Sequence, residues 1–209
     1  MNTSKLSRGI PWGVLGIIII TSFVLMFSVS NQESAIMDEL AHIPSGYGYV
    51  NNLDYRLNPE HPPLIKAIAA FPLLFGHFNF PTDSAAWQKE INAQWDMGAS
   101  FLYGSGNNPD RIIQWSRIGP MLITLLLIFL IYIWAKELMG PWWALLPSFL
   151  FALSPTVLEH GHFVTTDLGA AFGIFLAIYY FVKYLSLSLS RFGFLFLENK
   201  KRTKRRALP

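Results

Sequence analysis

The sequence predicts an all-α membrane protein with about four transmembrane helices and a large outer loop that carries short interfacial helices. Three observations predict it. Of the 209 residues, 52% are hydrophobic and only 14% are charged, against about a quarter charged in soluble domains. The apolar residues gather into uncharged runs of near-spanning length, and the basic residues sit at the ends of those runs and in one C-terminal cluster. The formal charge of +3 is therefore a bilayer signature and not that of a nucleic-acid-binding protein. Without cysteine the chain has neither a disulfide framework nor a thiolate metal site.

The elements follow in order. A hydrocarbon core about 30 Å thick needs roughly 20 apolar residues, and residues 10–29 are uncharged throughout. Lys5 and Arg8 precede them, and Ser28-Val29-Ser30 loosely resembles a leader cleavage site. The run exceeds the roughly 7–15 apolar residues of a secretory leader, so it is read as an uncleaved anchor. Residues 118–135 lie uncharged between Arg117 and Lys136. Residues 141–158 open on Pro141, suited to a first helical position. Residues 168–182 form the fourth run, which can lengthen past Lys183 because a lysine stem snorkels.

Orientation is read from Lys and Arg near the span ends. Lys5, Arg8, Lys136, Lys183, Arg191 and the run Lys200, Lys201, Arg202, Lys204, Arg205, Arg206 fall on one side of a four-span chain. That side is expected to be the cytoplasm of a cell membrane. The expected division is residues 1–30 for the N-terminus and first span, 31–115 for an outer loop, 116–190 for spans two to four, and 191–209 for a basic cytoplasmic tail.

An outer loop this long is expected to carry function. Ser30 and Glu33 have capping-box spacing, which predicts a helix from about Asn31 to His42 that ends near Pro44. On it Asp38 and His42 share a face, with Glu39 to one side. The run Asn58-Pro59-Glu60-His61-Pro62-Pro63 leads into an apolar stretch at 64–75 that contains Lys66. That stretch is too short to cross, so an interfacial or re-entrant helix is expected. A further helix is expected at 84–102. The second outer corner, between spans three and four, holds Glu159, His160, His162 and Asp167. Ionisable groups at membrane level are functional candidates, although Asp167 equally suits the first turn of the fourth span. A divalent metal held by such His, Asp and Glu groups is a second reading of the same residues, with Asp38 and Asp167 as the carboxylates.

Taken in order, Asp38-Glu39, His42, Gly46-Tyr47, Asn58-Pro59-Glu60-His61-Pro62-Pro63-Leu64, Leu153-Ser154-Pro155, His160 and Thr165-Thr166-Asp167 resemble the N-terminal part of bacterial polyprenyl-phosphate-dependent glycosyltransferases. The resemblance is to the C-type, protein-O-mannosyltransferase-like group, which includes the lipid A aminoarabinose transferases, and covers residues 10 to about 184. It implies a sugar presented on a polyprenyl-phosphate carrier at the outer membrane face. Asp38 matches the catalytic carboxylate that activates an acceptor hydroxyl, and Glu39 its neighbour. Polyprenyl phosphate leaves with inversion. His42, Glu60, His61, His160 and Asp167 fall in the motifs that imply substrate binding. If Glu39 only tunes Asp38 or a metal, Glu39→Gln is expected to lower transfer less than Asp38→Asn.

The leaving phosphate needs a cation, with Lys66, Arg56, Arg111 and Arg117 as candidates between which the sequence does not choose. Members of this group run to a dozen or so membrane helices. Four spans, then a Leu-Ser alternation after Tyr184 and a basic tail, are expected of a fragment, a frameshifted product or half of a split enzyme whose partner is the downstream helices. Gly169, Ala170, Ala171 and Gly173 suggest a face for such a helix. The other readings are a non-catalytic remnant or partner subunit of the same fold, and a membrane metal-dependent hydrolase.

Overall fold

A computed structural model describes the backbone of residues 3–206 and the side chains of residues 9–188. The described residues form helices and turns, with no strand among them. In chain order the helices are α1 (Thr3–Ser30), α2 (Met37–Asn51), α3 (Pro63–Ala70, continued by a 3-10 turn at Phe71–Phe75), α4 (Ala85–Gln88), α5 (Gln94–Ala99, continued by a π turn at Ser100–Gly104), α6 (Pro109–Met139), α7 (Leu145–Ala152), α8 (Pro155–His160) and α9 (Asp167–Arg206). Met1–Phe172 form one compact unit and Gly173–Pro209 a second. The side chains of the basic tail lie outside the described residues.

Three helices are long and apolar enough to cross a membrane, at Gly9–Ser30, Pro109–Met139 and Asp167–Ser188. The chain is thus an all-α membrane protein. The expected span at 141–158 is not one helix. It breaks at Ser154, whose ψ of 129° is extended, because the residue before a proline avoids helical geometry. The two pieces still run along α1. Ala144 packs with Leu15, and Ala152 with Ile18. The Ser22 hydroxyl donates to the Ala152 carbonyl at 3.1 Å, Gly161 lies beside Met26, and His162 reaches Glu33. From Leu15 to Met26 a helix rises about 16 Å, about half of a hydrocarbon core of roughly 30 Å, so α7 and α8 line part of α1 and the expected span at 141–158 is not formed. Irregular backbone survives at such depth only where protein groups satisfy it. Ser22 does so for Ala152, and the Thr124 hydroxyl does so for the Gly161 carbonyl at 3.0 Å.

Helix α2 differs from the expectation at both ends. It starts at Met37, where the Glu39 carboxylate turns back to accept the Ile36 N–H at 3.1 Å. The closing acid is thus Glu39 on Ile36, and Ser30 instead ends α1. The helix then passes through Pro44 to Asn51. An interior proline costs about 3 kcal/mol and strips one carbonyl of its donor. Burial of every residue from Ala41 to Tyr49 outweighs that cost. Gly98 of α5 fits against the carbonyl of Leu40, where a Cβ would lie 1.9 Å from the oxygen.

Pro63–Phe75 is a short apolar helix, as its length predicted. It packs between α2 and α6, and Ala69, Ala70 and Leu73 share the main core with Ile43, Tyr47, Phe101 and Ile112. The helix expected at 84–102 is interrupted between α4 and α5, where Asn92 takes a left-handed φ of 55°. α6 starts well before Arg117, capped by Asn108, whose side chain accepts the Arg111 N–H at 3.1 Å. In the first turns of α9, Gly169 meets the Ile65 side chain. Ala170, Ala171 and Gly173 are exposed.

Candidate functional site

The C-terminal end of α1, the N-terminal part of α6, the first turns of α2 and the 161–165 segment are tied together by one buried ion pair. Glu39 and Arg117 are both fully buried. Arg117 Nε donates to Glu39 Oε1 at 2.9 Å and Nη2 to Oε2 at 2.7 Å. Its remaining N–H groups reach the carbonyls of Ser30, Glu33 and Ser34 at 2.9–3.1 Å. Glu39 accepts two further backbone N–H groups, from Ile36 and Val164, each at 3.1 Å. All five guanidinium hydrogens and both carboxylate oxygens are used. Such a fork-to-fork pair fixes geometry as well as charge. Sequence reasoning treated Arg117 as one phosphate candidate among four. An arginine at the end of a spanning run looks the same in sequence whether it flanks the membrane or points into the fold.

Asp38 stands beside this pair and differs from it. It is exposed, on the first turn of α2, with no hydrogen bond or ion pair among the described residues. One turn further, His42 is buried and its Nδ1 lies 2.8 Å from the Val164 carbonyl. A carbonyl only accepts, so Nδ1 carries the proton and Nε2 offers its lone pair. Burial lowers the His42 pKa below its ordinary value. The Val164 hydrogen bond opposes this, and the charges of His61 and Lys66 add to it. The exposed His61 ring meets the His42 ring edge to face at 5.2 Å. The structure therefore brings together Asp38, His42 and His61, from α2 and from the loop before α3.

That loop is knotted around Lys66. The ammonium group, fully buried, has four acceptors around its three N–H donors: the Tyr49 hydroxyl, the carbonyl and side-chain oxygen of Asn58, and the His61 carbonyl, all at 2.6–2.9 Å. These partners are neutral, so burial pulls its pKa down to about 8, while the charge of Glu60 pulls the other way. Asn58 adopts a left-handed φ of 49°, and its side-chain amide also binds Gln94. Glu60 is held by Gln94 at 2.7 Å and Asn92 at 3.1 Å. Its own backbone N–H, then these amides, keep its pKa below the usual carboxylate value. Glu60 thus serves the loop, and Gln94 and Asn92 are site-shaping residues that carried no motif in the sequence.

His160 and Asp167 share a different place. They line a cleft of about 320 Å³ with Phe151, Thr156, Leu168 and Ala171, with Asp167 exposed on the first turn of α9. It is His162, not His160, that is buried. Its Nδ1 lies 2.9 Å from the Leu158 carbonyl and its Nε2 2.9 Å from Glu33. Among the described residues no group of three His, Cys, Asp or Glu side chains is placed to hold a metal ion. Asp38 and Asp167 form no such set with their neighbours. Of the four phosphate candidates, Arg117 and Lys66 are consumed inside the fold. Arg56 is bound to Asp54 at 2.6 Å and to the Trp87 carbonyl at 2.7 Å. Arg111 is exposed, and its guanidinium stacks on Trp115.

Neither the curated proteins nor the solved structures contain a match to this chain. The family model described as dolichyl-phosphate-mannose-protein mannosyltransferase matches residues 16–197. The match covers the loop between α1 and α6 and the corner before α9, and it continues through the Leu-Ser alternation after Tyr184, beyond the residues that carry the resemblance in the sequence. The chain belongs to the dolichyl-phosphate-mannose-protein mannosyltransferase family, a family of membrane glycosyltransferases.

Proposed function

We propose that this chain transfers a sugar from a polyprenyl-phosphate carrier to an acceptor hydroxyl at the outer face of the cell membrane, with Asp38 as general base. The observation that carries this reading is the contrast between two adjacent carboxylates. Glu39 has no free oxygen lone pair directed outward and is fully buried. Asp38 is exposed and unpaired. A base must reach its proton, and Asp38 is the one of the pair that can. Its carboxylate takes the acceptor O–H proton as the oxygen attacks the anomeric carbon. The bond from that carbon to the phosphate oxygen breaks on the opposite side, and the electron pair leaves with polyprenyl phosphate.

In this reading Glu39 is a positioning residue, which holds the first turn of α2 through Arg117. His42 and His61 form the wall next to Asp38, held by the Val164 carbonyl and by Lys66. His160 and Asp167 line the neighbouring corner and contact substrate from there. The carrier confines one substrate to the bilayer, so a site at the ends of spanning helices suits it.

The test is sugar release from a labelled polyprenyl-phosphate-linked donor. Membranes carry the chain alone, or together with the helices encoded in any adjoining reading frame. Asp38→Asn keeps the shape and removes basicity, so turnover is expected to fall about 10²–10⁴-fold with unfolding unchanged. Near-normal turnover by a folded Asp38→Asn protein refutes the assignment.

A further inference from the structure

One face of α6 carries features to which the sugar-transfer reading assigns no role, although Arg111 is one of the four cations considered above for the leaving phosphate. Arg111, Trp115, Ile118, Leu122, Leu126 and Phe129 recur every three or four residues, so they form one stripe down the helix. The apolar members Leu122, Leu126 and Phe129 are 51%, 53% and 41% exposed. At the outer part of the stripe the protein surface is indented. A cleft of about 350 Å³ opens there between α3 and α6, lined by Val50, Ala67, Ile68, Phe71, Ile118 and Leu122. Its lining residues are apolar. Its floor is set by Gly119, where a Cβ would lie 2.9 Å from the Ala69 Cα.

The upper end of the stripe is cationic. The Arg111 guanidinium lies 4.6 Å from the centre of the Trp115 ring and 5.9 Å from that of Phe78. It has no hydrogen bond or ion pair among the described residues, although Asp110 is its chain neighbour. Seven residues of helix place Arg111 about 10 Å above Ile118, and Trp115 about 4 Å above it. Apolar groups below, an indole at the boundary and a cation above it follow the order of hydrocarbon, interface and headgroup.

We infer that this cleft binds one anionic membrane phospholipid, with an acyl chain between α3 and α6 and the phosphate on Arg111. Charge complementarity selects an anionic headgroup. The all-apolar lining selects a hydrocarbon chain over a peptide or a sugar. The continuity of the cleft with the apolar stripe of a spanning helix gives the lipid its route of entry. The bound chain would brace α3, which is too short to cross, against α6. The inference does not depend on the transfer chemistry, so either can fail without the other.

The experiment uses the chain in nanodiscs that contain phosphatidylglycerol or phosphatidylcholine with a photoactivatable acyl chain, at equal mole fractions. Crosslinks are located by mass spectrometry of peptides. Labelling by phosphatidylglycerol is expected to concentrate on residues 67–72 and 118–122 and to exceed labelling by phosphatidylcholine. Arg111→Gln is expected to lower it about fivefold, which corresponds to about 1 kcal/mol for one basic group near an anionic lipid surface. Ala67→Phe, which fills the cleft, is expected to remove the crosslinks there while distant labelling of α6 persists. Should Ala67→Phe unfold, the surface change Arg111→Gln carries the test. Equal labelling by both lipids, or no effect of Arg111→Gln, overturns the inference. Displacement of the label by polyprenyl phosphate but not by unlabelled phosphatidylglycerol also overturns it and assigns the cleft to the carrier.

Discussion

Replacing Glu39 by glutamine changes one atom and is expected to be far more damaging to the fold than its isosteric look suggests. Oε1 of Glu39 receives Arg117 Nε at 2.9 Å and the Val164 N–H at 3.1 Å. Oε2 receives Arg117 Nη2 at 2.7 Å and the Ile36 N–H at 3.1 Å. Either orientation of a glutamine amide turns its NH2 toward two donors. Two hydrogen bonds are lost, two donors face a donor, and a guanidinium with no solvent exposure loses its counter-charge. Removing one partner of a buried pair typically costs about 3–5 kcal/mol, and this environment argues for the whole of that range. Arg117→Met is expected to cost at least as much, because the carbonyls of Ser30, Glu33 and Ser34 lose their donor too. By contrast, Asp38→Asn touches an exposed group without partners and is expected to stay within about 0.5 kcal/mol of the parent. Unfolding in mixed micelles, followed by tryptophan fluorescence, gives the three values side by side. A Glu39→Gln protein as stable as the parent, or an Asp38→Asn protein as unstable as Glu39→Gln, would refute the reasoning. The order of severity for stability is thus opposite to the order expected for loss of transfer.

Lys66 gives a pH signature. Its pKa is lowered from 10.5 to about 8 in the fold, so between those values the unfolded chain binds more protons, and stability from this group rises with pH. Tyr49, raised from 10.0 to about 12 chiefly by burial, acts with the opposite sign above pH 10. The rise is therefore expected between about pH 8 and 10, and Lys66→Met should flatten it; a slope unchanged by that substitution counts against the buried-ammonium account. Gly119→Ala would place a Cβ 2.9 Å from the Ile68 carbonyl oxygen and the Ala69 Cα. Both contacts are backbone, so it should separate α3 from α6 and lower the unfolding midpoint, whereas Gly173→Ala, which meets nothing within 4 Å, should not. For orientation, cysteines introduced at Asn107 and Thr203 are expected to differ toward an impermeant thiol reagent on intact cells, with Asn107 labelled. Labelling of Thr203 alone would invert the topology.

By itself the sequence determined the solvent and the periodic elements. Uncharged runs near 20 residues can be satisfied only as helices in a bilayer, so α1, α6 and the start of α9 were legible, as was the short apolar helix at Pro63–Phe75. The ordered motifs also placed the family. What tertiary structure decided were outcomes in which local rules compete. Pro44 should end a helix, but burial of α2 on both sides of it carries the helix through to Asn51. Pro155 opens a new helix where one continuous span was expected, and Ser22 and Thr124, distant in sequence, donate to the carbonyls of Ala152 before it and Gly161 after it. The sequence set Asp38 on the His42 face with Glu39 to one side, but the burial of Glu39 was not legible in it. The 100° turn between adjacent helical residues, set against the position of Arg117 on α6, sends Glu39 inward to be consumed and leaves Asp38 exposed.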